Sequence, residues 1–221
     1  MTSHKFFTAR HLRAATIAGV ASAALALSGC NAGGSPGGTD TSPAAVSQTP
    51  TATASPTPSP TSMPAYVPAS ASGRAQNVPV PVLPDVGKTE TKEGLEAFAR
   101  YWFQLLSYGY ETGDTTQLSA ITSTGCTMCE RAKEVQRGWY SNGRWLEGGR
   151  VLTPAVSTNF RVAADGNYQV AVQVSQEAMS YHNVDGSVDS TDPKTADSGS
   201  LMLVVFKNGT WFVNTIEPIV G

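Results

Sequence analysis

The sequence predicts an α+β domain over residues 85–221, with N-terminal helices packed into a curved antiparallel sheet of four to five strands. Three observations predict it. Apolar residues recur with helical spacing from Leu95 to Trp139 and with a period of two beyond Trp145. Asp165-Gly166 and Asn208-Gly209 stand between apolar runs, where hairpin turns favour such pairs. Finally, eleven of the fourteen prolines fall between Pro36 and Pro84, while all four tryptophans (Trp102, Trp139, Trp145, Trp211) lie beyond that stretch. A core needs large apolar side chains, so the folded part is expected after the prolines.

The N-terminus reads as an export signal. Lys5, Arg10 and Arg13 precede an apolar run from Ala14 to Leu27, which is short for a membrane span but suited to the h-region of a signal peptide. The run ends in Leu27-Ser28-Gly29-Cys30. Small residues ahead of a cysteine at this place resemble the lipobox of bacterial lipoproteins. The resemblance implies that residues 1–29 are removed and that Cys30 becomes a diacylglycerol-modified N-terminus. Two acyl chains suffice for stable anchoring, so the expected location is the extracytoplasmic face of the cell membrane. Residues 30–84 carry this cysteine and then a Pro/Thr/Ser-rich stretch with Tyr66 as its single aromatic. Such a composition buries too little apolar surface to offset the entropy of ordering it. It is expected to be a disordered tether with a coil-like reach of about 40 Å.

Thr91 is the expected N-cap of a first helix, in which Leu95, Phe98, Ala99, Trp102, Leu105, Leu106 and Gly109 share one face. Gly113 ends it. Asp114 with Gln117 then marks a short second helix carrying Leu118 and Ile121, and Thr127 with Glu130 repeats the capping signature for a third. On that third helix Met128, Ala132, Val135 and Trp139 are expected to face inward. The aromatics at these spacings read first as core; within a pocket between helix and sheet, Tyr101, Trp102 and Tyr108 are the candidate ligand-lining residues.

Cys126 and Cys129 are the thiols left once Cys30 is lipidated. Outside the membrane a structural disulfide is expected, and a loop this short contributes only about 2 kcal/mol. Redox chemistry is the alternative, because a thiolate at a helix N-terminus is stabilised; thioredoxin-type motifs, however, follow a strand. Zinc would need further ligands, and His182 is the single histidine after residue 84. No metal site, cofactor or catalytic residue is expected.

Val156, Thr158, Phe160 and Val162 alternate, as do Tyr168, Val170, Val172 and Val174 on the way back, which makes a hairpin across Asp165-Gly166. Leu201 to Phe206, then Trp211, Val213 and Ile216, form a second hairpin across Asn208-Gly209. Gly148-Gly149 and Pro154 interrupt the first strand, as bulges that curve a sheet do. Asn183 to Ser198 reads as a solvated polar loop; its aspartates lack the spacing of a calcium-binding helix-loop-helix. After residue 84, eleven Lys/Arg against sixteen Asp/Glu give a formal charge of −5. A mildly acidic domain offers no electrostatic footprint for nucleic acid.

Helices followed by a bent antiparallel sheet resemble the order of the nuclear-transport-factor-2-like cone. The residues resemble an actinobacterial lipoprotein family, domain of unknown function 6318, through Val78-Pro79-Val80-Pro81, Thr91 to Phe98, Tyr110-Glu111-Thr112-Gly113-Asp114, Cys126-x-x-Cys129 and Arg144-Trp145-x-x-Gly148-Gly149-Arg150. That resemblance implies no activity. The expectation is a non-catalytic envelope lipoprotein whose domain binds a small molecule, a cell-wall component or an envelope protein. The alternatives are a small isomerase or cyclase of the cone type, which would place an acid among pocket aromatics, with Glu147 and Glu177 the strand carboxylates on offer, and thiol-disulfide exchange at Cys126 and Cys129.

Overall fold

Thr91 caps the first helix as its sequence predicts, Oγ1 accepting a hydrogen bond from Gly94 N at 3.0 Å. Helix α1 (Lys92–Thr112) ends where Gly113 takes a φ of 78°, a left-handed conformation that glycine adopts without a Cβ clash. The computed structural model describes residues 64–219. The expected signal peptide, Cys30 and the first part of the tether lie outside the described residues. All seven residues of the predicted α1 face are buried, and Phe103 and Tyr110 join them.

Helix α2 (Thr116–Ala120) follows, its first turn held by Asp114 Oδ1, which accepts from Thr116 N at 2.9 Å. Helix α3 (Thr127–Tyr140) is capped by Cys126 rather than Thr127: the Cys126 sulfur accepts from Cys129 N at 3.3 Å. Its buried side is Cys129, Ala132, Lys133, Gln136 and Tyr140, so the expected face of Met128, Val135 and Trp139 is turned by about one residue position. Two polar residues on that face hid it. Gln136 Nε2 donates to Leu106 O at 2.9 Å, and Gly109 makes room for it, since a Cβ there would lie 2.4 Å from Gln136 Oε1. Lys133 lies 2.6 Å from Glu130 Oε1, an ion pair without hydrogen-bond alignment.

Among the described residues seven strands follow where four to five are expected. Strands β2 (Val151–Val162), β3 (Tyr168–Gln176), β6 (Ser198–Lys207) and β7 (Thr210–Pro218) form one antiparallel sheet in the order β2-β3-β6-β7. Strands β1 (Trp145–Gly148), β4 (Met179–His182) and β5 (Val188–Asp192) form a second, in the order β1-β4-β5. Gly148 and Gly149, with φ of 79° and 72°, divide what reads as one interrupted strand into β1 and β2. A side chain at Gly148 would meet Ala178 O at 2.3 Å. The expected loop after Asn183 contains β5, whose residues are almost all exposed and therefore carry no alternating signal.

Both predicted hairpins form. Asn208 and Gly209 take φ of 52° and 75°, the pair of positive values a type I′ turn requires. Register shifts between Leu152 and Ala155 and between Thr158 and Val162 bend β2. The second breaks the expected alternation: Phe160 takes a φ of 52° and stacks on Tyr168 at 4.9 Å, leaving Val162 exposed. Phe98 and Trp102 from α1 fill the interior with Val170, Val172, Met202, Val204, Trp211 and Val213.

The folded chain begins before residue 85. In the segment 64–84, Val67 bridges Gln76 and Ser70 bridges Gly73. This stretch has no core of its own and borrows one: Tyr66 OH donates to Glu111, Arg74 donates to Tyr140 O at 3.1 Å, and Trp145 Nε1 donates to Ser70 O at 2.9 Å. Its polar composition reads as tether because these partners lie 45 to 75 residues away in sequence.

Candidate functional site

The three candidate pocket aromatics on α1 are not brought together. Trp102 is fully buried and donates from Nε1 to Thr122 Oγ1 at 2.8 Å, so it fills the interior. Tyr101 is half-buried and donates to Gln117 Oε1 at 3.2 Å, while Tyr108 is half-buried seven residues further on. Cys126 and Cys129 form a disulfide, both cysteines fully covered by the core. Coverage excludes solvent thiols from it, and thiolate attack needs access.

Polar side chains instead gather around the three-stranded sheet. On β1 and β4, Trp145 pairs with His182 in register, and their rings stack at 5.3 Å and 8°. His182 is 1% exposed. Its Nε2 lies 2.6 Å from Glu147 Oε2 and its Nδ1 3.2 Å from Gly186 O. Side chains alternate along a strand, which puts Trp145, Glu147 and His182 on the face where the segment 64–77 lies. The carbonyl of Ala71 comes so close to Gly186 that a Cβ there would stand 2.4 Å from it.

The other face of the same sheet meets the helices. Tyr181 packs edge-on to Trp139 at 5.0 Å and donates to Asp192 Oδ2 at 3.0 Å. Burial pushes the Tyr181 phenol up, and the Asp192 charge adds to the shift. Burial likewise pushes Tyr110 up to about 12, with the Gln176 side chain opposing it. Tyr140 rises to about 12 for the same first reason, and its hydroxyl donates toward Tyr110 O and Glu111 O at 2.9 and 2.8 Å. These phenols are held neutral, and those of Tyr181 and Tyr140 act as hydrogen-bond donors.

At the end of this face, Arg144 lies over Trp139, the guanidinium carbon 3.8 Å from the ring centroid. Beside it is an open depression of about 550 Å³ lined by Asn142, Arg144, Asn183, Val184 and Asp185. The turns on either side of it are Ser141–Gly143, where Gly143 takes a φ of 81°, and the β4–β5 connection, where Gly186 takes 84°. Among the described residues no group of three or more His, Cys, Asp or Glu is placed to hold a metal ion, and no helix is long and apolar enough to cross a membrane.

A family model described as "Family of unknown function (DUF6318)" matches residues 64–217. The chain belongs to this family. The matched DUF6318 span nearly coincides with the described residues and includes the segment 64–84. No curated protein matches the sequence. Among solved structures, the intermembrane space region of the chloroplast protein ARC6 is similar at 12% identity and a TM-score of 0.41, over 59% of this chain and 98% of that one. Aln2 from a Streptomyces species is similar at 12% identity and a TM-score of 0.36, over 57% of this chain and 89% of that one.

His182 was visible in the sequence as a lone histidine before a polar loop; its pairing with Glu147 was not, because the register that joins β1 to β4 spans 35 residues. Arg144 stands in the sequence only as part of the family motif Arg144-Trp145-x-x-Gly148-Gly149-Arg150, which implies no role for it, and a single arginine in a turn is otherwise ordinary surface.

Proposed function

We propose that this protein is a lipid-anchored envelope lipoprotein, held by an acylated Cys30, whose DUF6318 domain binds a ligand or partner without transforming it. The anchoring half rests on the order of basic residues, apolar run and Leu27-Ser28-Gly29-Cys30. The binding half rests on one structural observation: among the described residues no aspartate or glutamate is buried. The cone-type isomerase alternative needs an acid whose burial raises its pKa. The space against the four-stranded sheet is instead taken by Phe98, Trp102, Met202 and Trp211, and Trp211 Nε1 donates to Thr89 O at 3.1 Å. The stretch between Cys30 and the domain acts as a spacer that holds the domain away from the bilayer.

The test is fatty-acid labelling of the full chain expressed in bacteria. The wild type takes up a clickable palmitate analogue and fractionates with membranes, and Cys30→Ala does neither. Label retained by Cys30→Ala, or a wild type that stays unlabelled and soluble, contradicts the anchor. For the binding half, a thermal-unfolding panel of wall fragments and lipids is expected to yield a compound that raises Tm by several degrees.

A further inference from the structure

Arg144 is a cation held in place with, among the described residues, no carboxylate within ion-pair distance. Its guanidinium carbon sits over Trp139, 3.8 Å from the ring centroid, and Trp139 is itself braced by the Tyr181 ring and by a hydrogen bond from its Nε1 to Trp145 O at 2.9 Å. Stacking on an aromatic face orients the planar fork and leaves its outer edge for a ligand. The hydrogen bonds Arg144 makes within the protein are few. One terminal nitrogen donates to Gly138 O over a long 3.4 Å, and Nε is buried with no partner. No carboxylate among the described residues forms an ion pair with it, although three such pairs form elsewhere. An arginine that is half-buried in this way bears a desolvation cost that an anion would offset.

The walls of the depression narrow the choice of anion. Asn142 and Asn183 contribute side-chain amides, and Val184 a large exposed apolar surface. Asp185 is also present, and would repel a bare anion. Its Oδ1 is occupied by Ser187 N and Ser187 Oγ at 3.0 and 2.6 Å, which holds the carboxyl below its usual range. Oδ2 is left to accept a hydrogen bond. A cation, a fixed acceptor and two amides in one open depression suit a ligand carrying a carboxylate together with hydroxyl or N–H donors.

We propose that the depression formed by Asn142, Arg144, Asn183, Val184 and Asp185 binds the carboxylate end of a small polar molecule of the acyl-amino-acid or carboxylated amino-sugar kind. Arg144 takes the carboxylate through its fork. Asp185 Oδ2 and the asparagine amides take the neighbouring donors and acceptors, and Val184 covers a methyl group. The assignment deepens the binding reading above and rests on it, naming the ligand class and the place.

Calorimetric titration of the full-length chain in detergent tests it with four probes: alanyl-alanine, its C-terminal amide, N-acetylmuramic acid and its methyl ester. At least one acid is expected to bind saturably at millimolar concentration or below, and its neutral counterpart about tenfold more weakly or worse. Arg144→Gln should lose about tenfold in affinity for that acid, with Arg144→Lys between the two, because lysine keeps the charge and loses the fork. Binding of the dipeptide alone or of the sugar alone identifies which source supplies the carboxylate. The comparison of acid with neutral analogue uses the unaltered chain, so it stands even if a variant misfolds. Equal binding of acid and neutral analogue, equal binding by Arg144→Gln, or no saturable binding of either acid overturns the assignment. If the acids fail while another wall fragment raises Tm, this site is wrong and the binding reading survives.

Discussion

The two sheets of this domain are both antiparallel and both packed against helices, yet they are built from different materials. The four-stranded sheet is held by apolar side chains that alternate inward along β3 and β6, and Val170, Val172, Val174, Met202, Val204 and Val213 are each at most 1% exposed. The three-stranded sheet buries Leu146 and Met179 but adds polar contacts: a histidine stacked on a tryptophan, a carboxylate against that histidine, and a tyrosine bonded to an aspartate. Apolar contact is non-directional and tolerant, whereas each polar contact needs its partner in place. The first sheet is a scaffold. The second brings together groups with chemical specificity, and the open depression beside Arg144 lies at its edge.

The largest effect is expected where the scaffold is densest. Trp211 is fully buried and touches the rings of Phe98, Tyr168 and Phe206. Trp211→Ala should cost about 3–5 kcal/mol, read as a lowered midpoint in urea unfolding. A loss below about 1 kcal/mol would mean that this interior is loosely packed.

Alkaline pH should act on the other region. The Tyr110 hydroxyl is raised from 10 to about 12 by burial. Its contribution to stability is therefore complete below pH 10 and is lost as pH rises through the folded value, because the unfolded chain ionises first. The loss amounts to about 3 kcal/mol across that window. Tyr110→Phe should flatten the decline between pH 10 and 12 relative to wild type, and an unchanged slope would sever the link to this hydroxyl.

The disulfide should matter least. Cys126→Ser with Cys129→Ser should lower stability by about 2 kcal/mol, since the loop closed is short. The far-UV circular dichroism of α3 should persist, although its cap is altered. A collapse of the fold would show that the pair does more than pin a turn.

What the sequence revealed follows the same division. The α1 face, its Thr91 cap, the Gly113 stop and both hairpin turns were legible because each depends on residues within a few positions of one another. The three-stranded sheet was not legible as a sheet. Strand β1 is four residues long and β4 is also four, too short for a period to declare itself, and β5 is exposed along nearly its whole length. The buried side of α3 shares Ala132 with the expected face but is turned toward Lys133 and Gln136, which composition counts as surface residues and whose burial only tertiary partners make tolerable. The segment 64–84 looked like tether because its anchors, Glu111, Tyr140 and Trp145, belong to the domain. Local chemistry was readable; polar contacts over long sequence distances were not.

Hydrogen exchange followed by mass spectrometry on the full chain tests the contrast between the two sheets most directly. Amides of β4 and β5, residues 179–192, should open at lower free energy than those of β3 and β6, residues 168–176 and 198–207, exchanging at least roughly tenfold faster at their slowest sites. Equal protection of the two sheets would contradict the division into an apolar scaffold and a polar working face.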